Sequence, residues 1–355
     1  MMLVLVIAAL IWWGGAYVGV SRAARAGALA GLYGVVLLVH ALLPEGHVLR
    51  GVVGGSLAGW LILGGVGVLI AGYSALLRRL RRQVDDAAPP PAQPDAGTFA
   101  EGELDRYARH IVLREIGGMG QRRLKQARVL VVGAGGLGSP ALLYLAAGGV
   151  GTIGVVDDDV VDHGNLQRQI IHNDAGIGSA KVFSAKAAME ALNPYVVVRP
   201  YRRRLDESSV AALVEEYDVV LDGTDNFETR YLVNAACVAA GKPLISGALS
   251  QWEGQLSVFD PAHDAPCYQC IFPQAPAAEL APSCAEAGVL GPLPGVVGAM
   301  MAAECIKVLA GAGQVLRGEM MIYDALWGES RKIGLSRRAD CPTCGGVAVQ
   351  KPASG

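Results

Sequence analysis

The stretch RVLVVGAGGLGSP at residues 128–140 decides the fold, and GVVDDDVVDHGNLQRQ (154–169) with GSAK (178–181) decides the chemistry. Val129, Leu130, Val131 and Val132 form a continuous apolar run, the pattern of a strand buried on both faces. The run enters Gly133, Gly135, Gly136 and Gly138 and then a helix-like segment. A second strand, expected over 152–156, ends at Asp157. Together these make a mononucleotide-binding βαβ unit. Its glycines let the backbone approach phosphates, and a carboxylate after the second strand holds a ribose hydroxyl. Asp159 is a further candidate, for a metal or the adenosine. Asp158 points the other way in an extended chain and is the weaker choice.

The residues just downstream argue against a nicotinamide cofactor. Asn165, Arg168, Gln169 and Lys181 put two cations and two amides close to the acidic strand end. Hydride transfer needs no such cluster, whereas attack at phosphorus does, because charge must be neutralised as it develops. An arginine forks onto two phosphate oxygens and a lysine supplies a mobile point charge. Asp225, in GTDN, follows one expected strand and precedes a helix, at the end of the sheet where α/β ligands bind. A helix N-cap is the alternative role for it.

Strands are expected at 129–132, 152–156, 196–200, 219–222 and 244–247, alternating with helices at 137–149, 179–192, 207–216 and 228–240. That alternation implies an α/β, Rossmann-like, mostly parallel sheet covered on both faces. Beyond Gln251 the strand-like stretches 254–259, 320–323 and 332–335 are expected to extend it by antiparallel pairing, with an apolar helix at 294–309 between them. Residues 272–282 read as a proline- and alanine-rich loop.

Four of the 7 cysteines form Cys267-x₂-Cys270 and Cys341-x₂-Cys344. Two such pairs suit a closed, structural Cys₄ zinc site with no position open to water. Redox pairs or free thiols are the alternatives, and structural disulfides are disfavoured in a cytosolic domain. Cys237 and Cys305 fall in apolar helical patterns and read as core.

The apolar excess, 52% of all residues, gathers at the N-terminus. Segments 2–20, 26–44 and 51–77 are expected to be transmembrane helices, since about 20 apolar residues span the hydrocarbon core. Buried helices of a soluble domain are the alternative. The basic clusters, Arg22 and Arg25 and then Arg78, Arg79, Arg81 and Arg82, place the N-terminus outside and the rest in the cytoplasm, at the inner membrane. Gly55 and Gly59 permit close helix packing, and His40 reads as an interfacial or packed histidine. Residues 85–103 read as a mobile proline-rich linker, 104–346 as the catalytic domain and 347–355 as a tail. Residues 1–84 hold 7 Lys/Arg and 1 acid, leaving 23 against 31 in the remainder, a net of −8. Such an acidic domain is a poor general nucleic-acid binder, and Arg202, Arg203 and Arg204 read as a solvated patch.

From Leu104 to Gly346 the chain resembles the ThiF/MoeB family, ATP-dependent adenylyltransferases of ubiquitin-like sulfur carriers. The resemblance rests on RYARHIVL (106–113), GAGGLG (133–138), NLQRQ (165–169), GSAK (178–181), GTDN (223–226), PCYQC (266–270), SCAEAGVLGP (283–292) and CPTCG (341–345), in order and in register. It implies that ATP and Mg²⁺ are used, with Asp225 holding the metal and Arg168 and Lys181 clamping phosphates. It implies that Arg109 reaches into the site of a partner protomer, and hence a homodimer. It aligns Cys284 with a cysteine that some relatives use covalently. The implied partner is a sulfur carrier with a C-terminal Gly-Gly, serving molybdopterin or thiamin synthesis. No rhodanese-like segment follows, so a separate sulfur donor is expected. Two rivals are a tRNA-modifying dehydratase using the same adenylation, which net −8 and the paired Cys motifs oppose, and a membrane scaffold that binds nucleotide or carrier without turnover, which the intact Arg168, Lys181 and Asp225 oppose.

Overall fold

The computed structural model describes residues 2–18, 20–87, 98–276 and 287–347. The chain divides into two compact units, Met1–Pro91 and Ala92–Gly355. Cys284, most of the expected linker and the last residues of the tail lie outside the described residues.

In the first unit, Met2–Ala9 continues through a π-helical turn, and further helices span Arg22–Leu42, Val48–Val53 and Leu57–Ala87. Ser21 caps the second of these, its hydroxyl accepting from the Ala24 N–H at 3.3 Å. Val4, Val36 and Trp60 make a small buried cluster. His40 is packed: its ring nitrogens lie 3.0 Å from the Val36 carbonyl and 3.3 Å from that of Gly55. Leu3, Leu10, Trp13, Leu38, Ile62, Val68 and Leu69 stay exposed. The segment 24–42 is long and apolar enough to cross a membrane, whereas 2–14 and 57–69 are apolar but shorter.

The expected helix over 51–77 does not begin at 51. Gly54 and Gly55 adopt φ of +64° and +81°, which break the chain between two helices. Gly55 and Gly59 are therefore no packing motif. The close approach is at Gly64, where an added Cβ would lie 2.0 Å from the Tyr33 hydroxyl.

The second unit is built on an eight-stranded sheet in the order β3-β2-β1-β4-β5-β6-β7-β8. β1 (Arg128–Val132), β2 (Thr152–Val156), β3 (Val197–Tyr201), β4 (Val219–Asp222) and β5 (Leu244–Leu249) pair in parallel. β6 (Glu253–Phe259), β7 (Glu319–Asp324) and β8 (Glu329–Gly334) continue antiparallel from β5. This is the mixed sheet expected. Every residue of β2 and β4 is buried, which is why their limits coincide with those read from the apolar pattern. The helix Pro292–Ala310 also passes the length and hydropathy test for a span. It is a core helix instead, with Leu293, Val297, Met301 and Cys305 buried against the sheet.

The unit starts before Leu104. Glu103 is buried, accepting from the Ala100 N–H and pairing with Lys125, and Lys125 lies 5.1 Å from the Phe99 ring. Residues 98–103 thus belong to the folded unit rather than to the linker.

Candidate active site

Strand order reverses between β1 and β4, and the crevice outside their carboxyl ends is where open α/β sheets bind ligands. A cavity of about 570 Å³ lies there. It is lined by Gly133, Gly135, Gly136, Asp157, Asp159, Arg168, Gln169, Lys181 and Asp225 together. Segments far apart in sequence therefore meet as the phosphate-site reading requires.

The glycine turn is built by its own sterics. Gly133 sits at φ +95°, which only glycine adopts cheaply. An added Cβ on Gly138 would lie 1.9 Å from the Gly133 carbonyl oxygen, so Gly138 supports the turn from the helix start and does not line the cavity. Gly135 differs: the nearest atom to an added Cβ is Gln169 Nε2 at 3.7 Å, an ordinary contact. Among the described residues nothing crowds that position, so the Gly135 backbone is left open to the cavity.

Asp157 is committed to that turn. One carboxylate oxygen accepts from the Ala134 N–H at 2.8 Å, and the other accepts from the Asp159 N–H at 2.9 Å. Burial pushes its carboxyl above the usual range, while Lys181 and those two N–H groups pull it back. Lys181 is buried and its ammonium meets Asp159 at 2.8 Å. Arg168 donates to Asn165 Oδ1 at 2.8 Å and to the Gly164 carbonyl at 3.3 Å. Asn165 is not among the cavity-lining residues; its side chain holds the Arg168 guanidinium at the cavity wall. Gln169 Oε1 is buried without a hydrogen-bond partner, at the edge of the cavity.

The N-cap of the helix Phe227–Ala240 is Asn226, whose side chain accepts from the Thr229 N–H at 2.9 Å. That leaves Asp225 an exposed carboxylate in the cavity, and the N-cap alternative for it fails. Arg109 is exposed on the helix Glu103–Ile111 and does not line the cavity of its own chain.

Several contributors escaped the sequence reading. Arg202, Arg203 and Arg204 are exposed, as read, and Arg203 and Arg204 also line the cavity, with Arg204 reaching Glu228 at 2.9 Å. Their position just past the end of β3 was the available signal. Asp222 and Arg230 form a buried pair at 3.2 Å. Arg230 also donates to Ser246 Oγ at 2.9 Å, to the Gly247 carbonyl at 2.7 Å and to the Thr224 carbonyl, which ties the GTDN turn to β5. A lone arginine inside a mostly apolar helix was the only hint. His172, beneath the glycine turn, was also missed.

Away from the cavity, Cys267, Cys270, Cys341 and Cys344 are all buried and their sulfur atoms cluster. Sulfur separations of 3.9, 3.6 and 3.4 Å are too long for disulfides. They suit four thiolates about 2.3 Å from a shared tetrahedral centre. Burial raises the thiols of Cys237 and Cys305, which makes them inert core residues.

The sequence profile of the ThiF family matches residues 107–343. The sulfur carrier protein adenylyltransferase of Thermus thermophilus is 48% identical over 257 residues, covering 71% of this chain and 95% of that protein. The SAMP-activating enzyme E1 of Haloferax volcanii is 49% identical over 243 residues, covering 68% and 89%. Among solved structures, E. coli MccB superposes with a TM-score of 0.61 at 21% identity, over 73% of this chain and 76% of that one, a likeness of fold.

Proposed function

Because the chain belongs to the ThiF family, we propose that it is an ATP-dependent adenylyltransferase acting on a ubiquitin-like sulfur carrier. The carrying observation is the cavity that gathers the glycine turn, Arg168, Lys181 and Asp225, in a chain 48% identical to a protein named for this activity. The terminal glycine carboxylate of the carrier attacks the α-phosphorus of ATP. A carboxyl-oxygen to phosphorus bond forms, and the bond to the bridging oxygen breaks. Pyrophosphate leaves with the electron pair, and a carrier acyl-adenylate remains. Arg168 and Lys181 neutralise the charge that grows on the phosphate oxygens. The glycine turn and Asp157 orient the nucleotide, so the enzyme works mainly by placement. The exposed carboxylate of Asp225 is a hard oxygen donor suited to Mg²⁺, which when bound would screen the phosphates. A sulfur nucleophile from a separate donor then attacks the acyl carbon, the carbon–oxygen bond to the phosphate breaks and AMP leaves with the electron pair, for molybdopterin, thiamin or a related synthesis.

Four further elements belong to this reading. The Cys267, Cys270, Cys341 and Cys344 cluster holds Zn²⁺ as a structural ion. Arg109, exposed and away from its own cavity, serves the partner's site in a homodimer. Cys284 acts on the adenylated carrier. Residues 1–84 anchor the enzyme in the inner membrane by three passes, with the catalytic domain in the cytoplasm. The exposed apolar side chains of the first unit support the anchor, because a water-facing surface seldom carries so many.

ATP–pyrophosphate exchange tests the activity. Exchange stimulated by a Gly-Gly-ended carrier, and not by tRNA, is expected. Exchange that responds to tRNA alone, or none with any carrier, would overturn it. A reporter fused after Gly355 tests the topology. Activity of a cytoplasm-dependent reporter is expected, and a reporter active only in the periplasm reverses the orientation.

A further inference from the structure

We propose that His172 is a positioning residue for the nucleotide, the side-chain tie that holds the glycine turn in register with the helix that begins at Lys181. This assignment deepens the adenylation reading and rests on it only for the identity of the nucleotide. His172 is buried, and its Nε2 lies 2.9 Å from the Ala134 carbonyl oxygen, in the middle of the glycine turn. A carbonyl can only accept, so Nε2 carries the proton. Burial lowers the imidazole's affinity for a second proton, so the ring is neutral and Nδ1 accepts. Ser184 Oγ, at 3.0 Å, is its donor.

The partners of these contacts make the tie informative. The N–H of the same Ala134 residue donates to Asp157, so the two backbone polar groups of Ala134 are gripped from opposite directions. Ser184 lies on the helix Lys181–Leu192, whose first residue meets Asp159 through its ammonium. The Asp159 N–H donates back to Asp157. Ala134, His172, Ser184, Lys181, Asp159 and Asp157 thus close a ring around the turn. The His172 N–H also donates to the Gln169 carbonyl at 3.1 Å, on the segment that carries Arg168. The side chain therefore joins the turn to the helix bearing the lysine, while the residue's own backbone anchors it to the segment bearing the arginine. His172 itself does not line the cavity, so its effect passes through these neighbours.

The test is equilibrium binding of ATP to the full-length protein without carrier, set beside the thermal midpoint and exchange kinetics. His172→Ala leaves the Ala134 carbonyl buried without its donor and should weaken ATP about tenfold or more. KM for ATP should rise in parallel, while KM for the carrier stays unchanged. His172→Gln returns an N–H near the Nε2 position and should recover affinity to within roughly threefold of the original. Ser184→Ala should weaken ATP in the same direction by less, and it decides the question if His172→Ala fails to fold. Unchanged ATP affinity in His172→Ala, or in Ser184→Ala where the first variant does not fold, overturns the assignment. So does equal loss of ATP and carrier affinity with no recovery by glutamine, which marks a merely structural residue. Wild-type protein that binds ATP yet shows no exchange with any carrier would sink the adenylation reading and leave this one standing.

Discussion

Asp225→Ala is expected to slow ATP–pyrophosphate exchange by about 10²–10³, the usual cost of removing one preorganised group that stabilises transition-state charge. The structure makes this variant a clean probe. Asn226, not Asp225, caps the helix that follows, and the Asp225 side chain is exposed in the cavity. Its removal therefore leaves no buried partner unsatisfied, and stability should change by no more than about 0.5 kcal/mol. Arg168→Ala should cost a similar factor in rate, but it also frees Asn165 and the Gly164 carbonyl. Agreement between the two variants in rate, with only the arginine variant altering the local structure, would separate charge stabilisation from scaffolding. Exchange within a few-fold of wild type in Asp225→Ala would remove that carboxylate from the mechanism. Raising Mg²⁺ should rescue Asp225→Ala in part and Arg168→Ala not at all, because only the first substitution deletes the carboxylate proposed to hold the metal.

The legibility of this chain followed burial. β2 and β4 are buried along their whole length, so their apolar runs coincide with the observed strands. β8 is exposed at every residue, and it begins three residues before the expected position. Its limits come from pairing with β7, Glu319 against Gly334 and Asp324 against Glu329, which no local pattern announces. The same distinction runs through the site. Gly133, Arg168, Lys181 and Asp225 were readable because each sits in a compact motif, GAGGLG, NLQRQ, GSAK or GTDN. His172 and Arg230 were not, since their partners lie 38 residues away at Ala134 and 16 residues away at Ser246. What makes them matter is a long-range hydrogen bond, and a single sequence does not display one. The N-terminal unit shows the converse error: Gly55 and Gly59 have helical spacing, but Gly55 has positive φ and lies between helices.

Cys344→Ser is expected to release the metal and melt part of the second unit rather than slow the chemistry. The four thiols bind two stretches of chain that are distant in sequence. Cys267 is the N-cap of the short helix Tyr268–Ile271 and Cys270 lies within it, whereas Cys341 and Cys344 lie beyond β8. Little apolar surface joins these stretches besides Val238, Ile271 and Val347. On the proposed reading a metal supplies much of the energy that holds them, and apparent zinc binding in such sites is about 10–16 kcal/mol. Serine offers a weaker, harder ligand, and three thiolates alone hold zinc far less tightly than four. Freshly purified wild-type protein should contain one zinc per chain by metal analysis, and Cys344→Ser close to none. The thermal midpoint should fall by many degrees, with chelator producing the same loss in wild type. Tyr268 and Phe272, next to the cysteine pair, also line the nucleotide cavity. Part of the exchange activity should thus be lost with the metal, through misplacement of that wall. The molecules that stay folded at low temperature should keep the wild-type dependence on Asp225. A zinc-free wild-type protein with an unchanged melting point under chelation would show that four reduced thiols pack there without an ion, and the structural-metal assignment would fall.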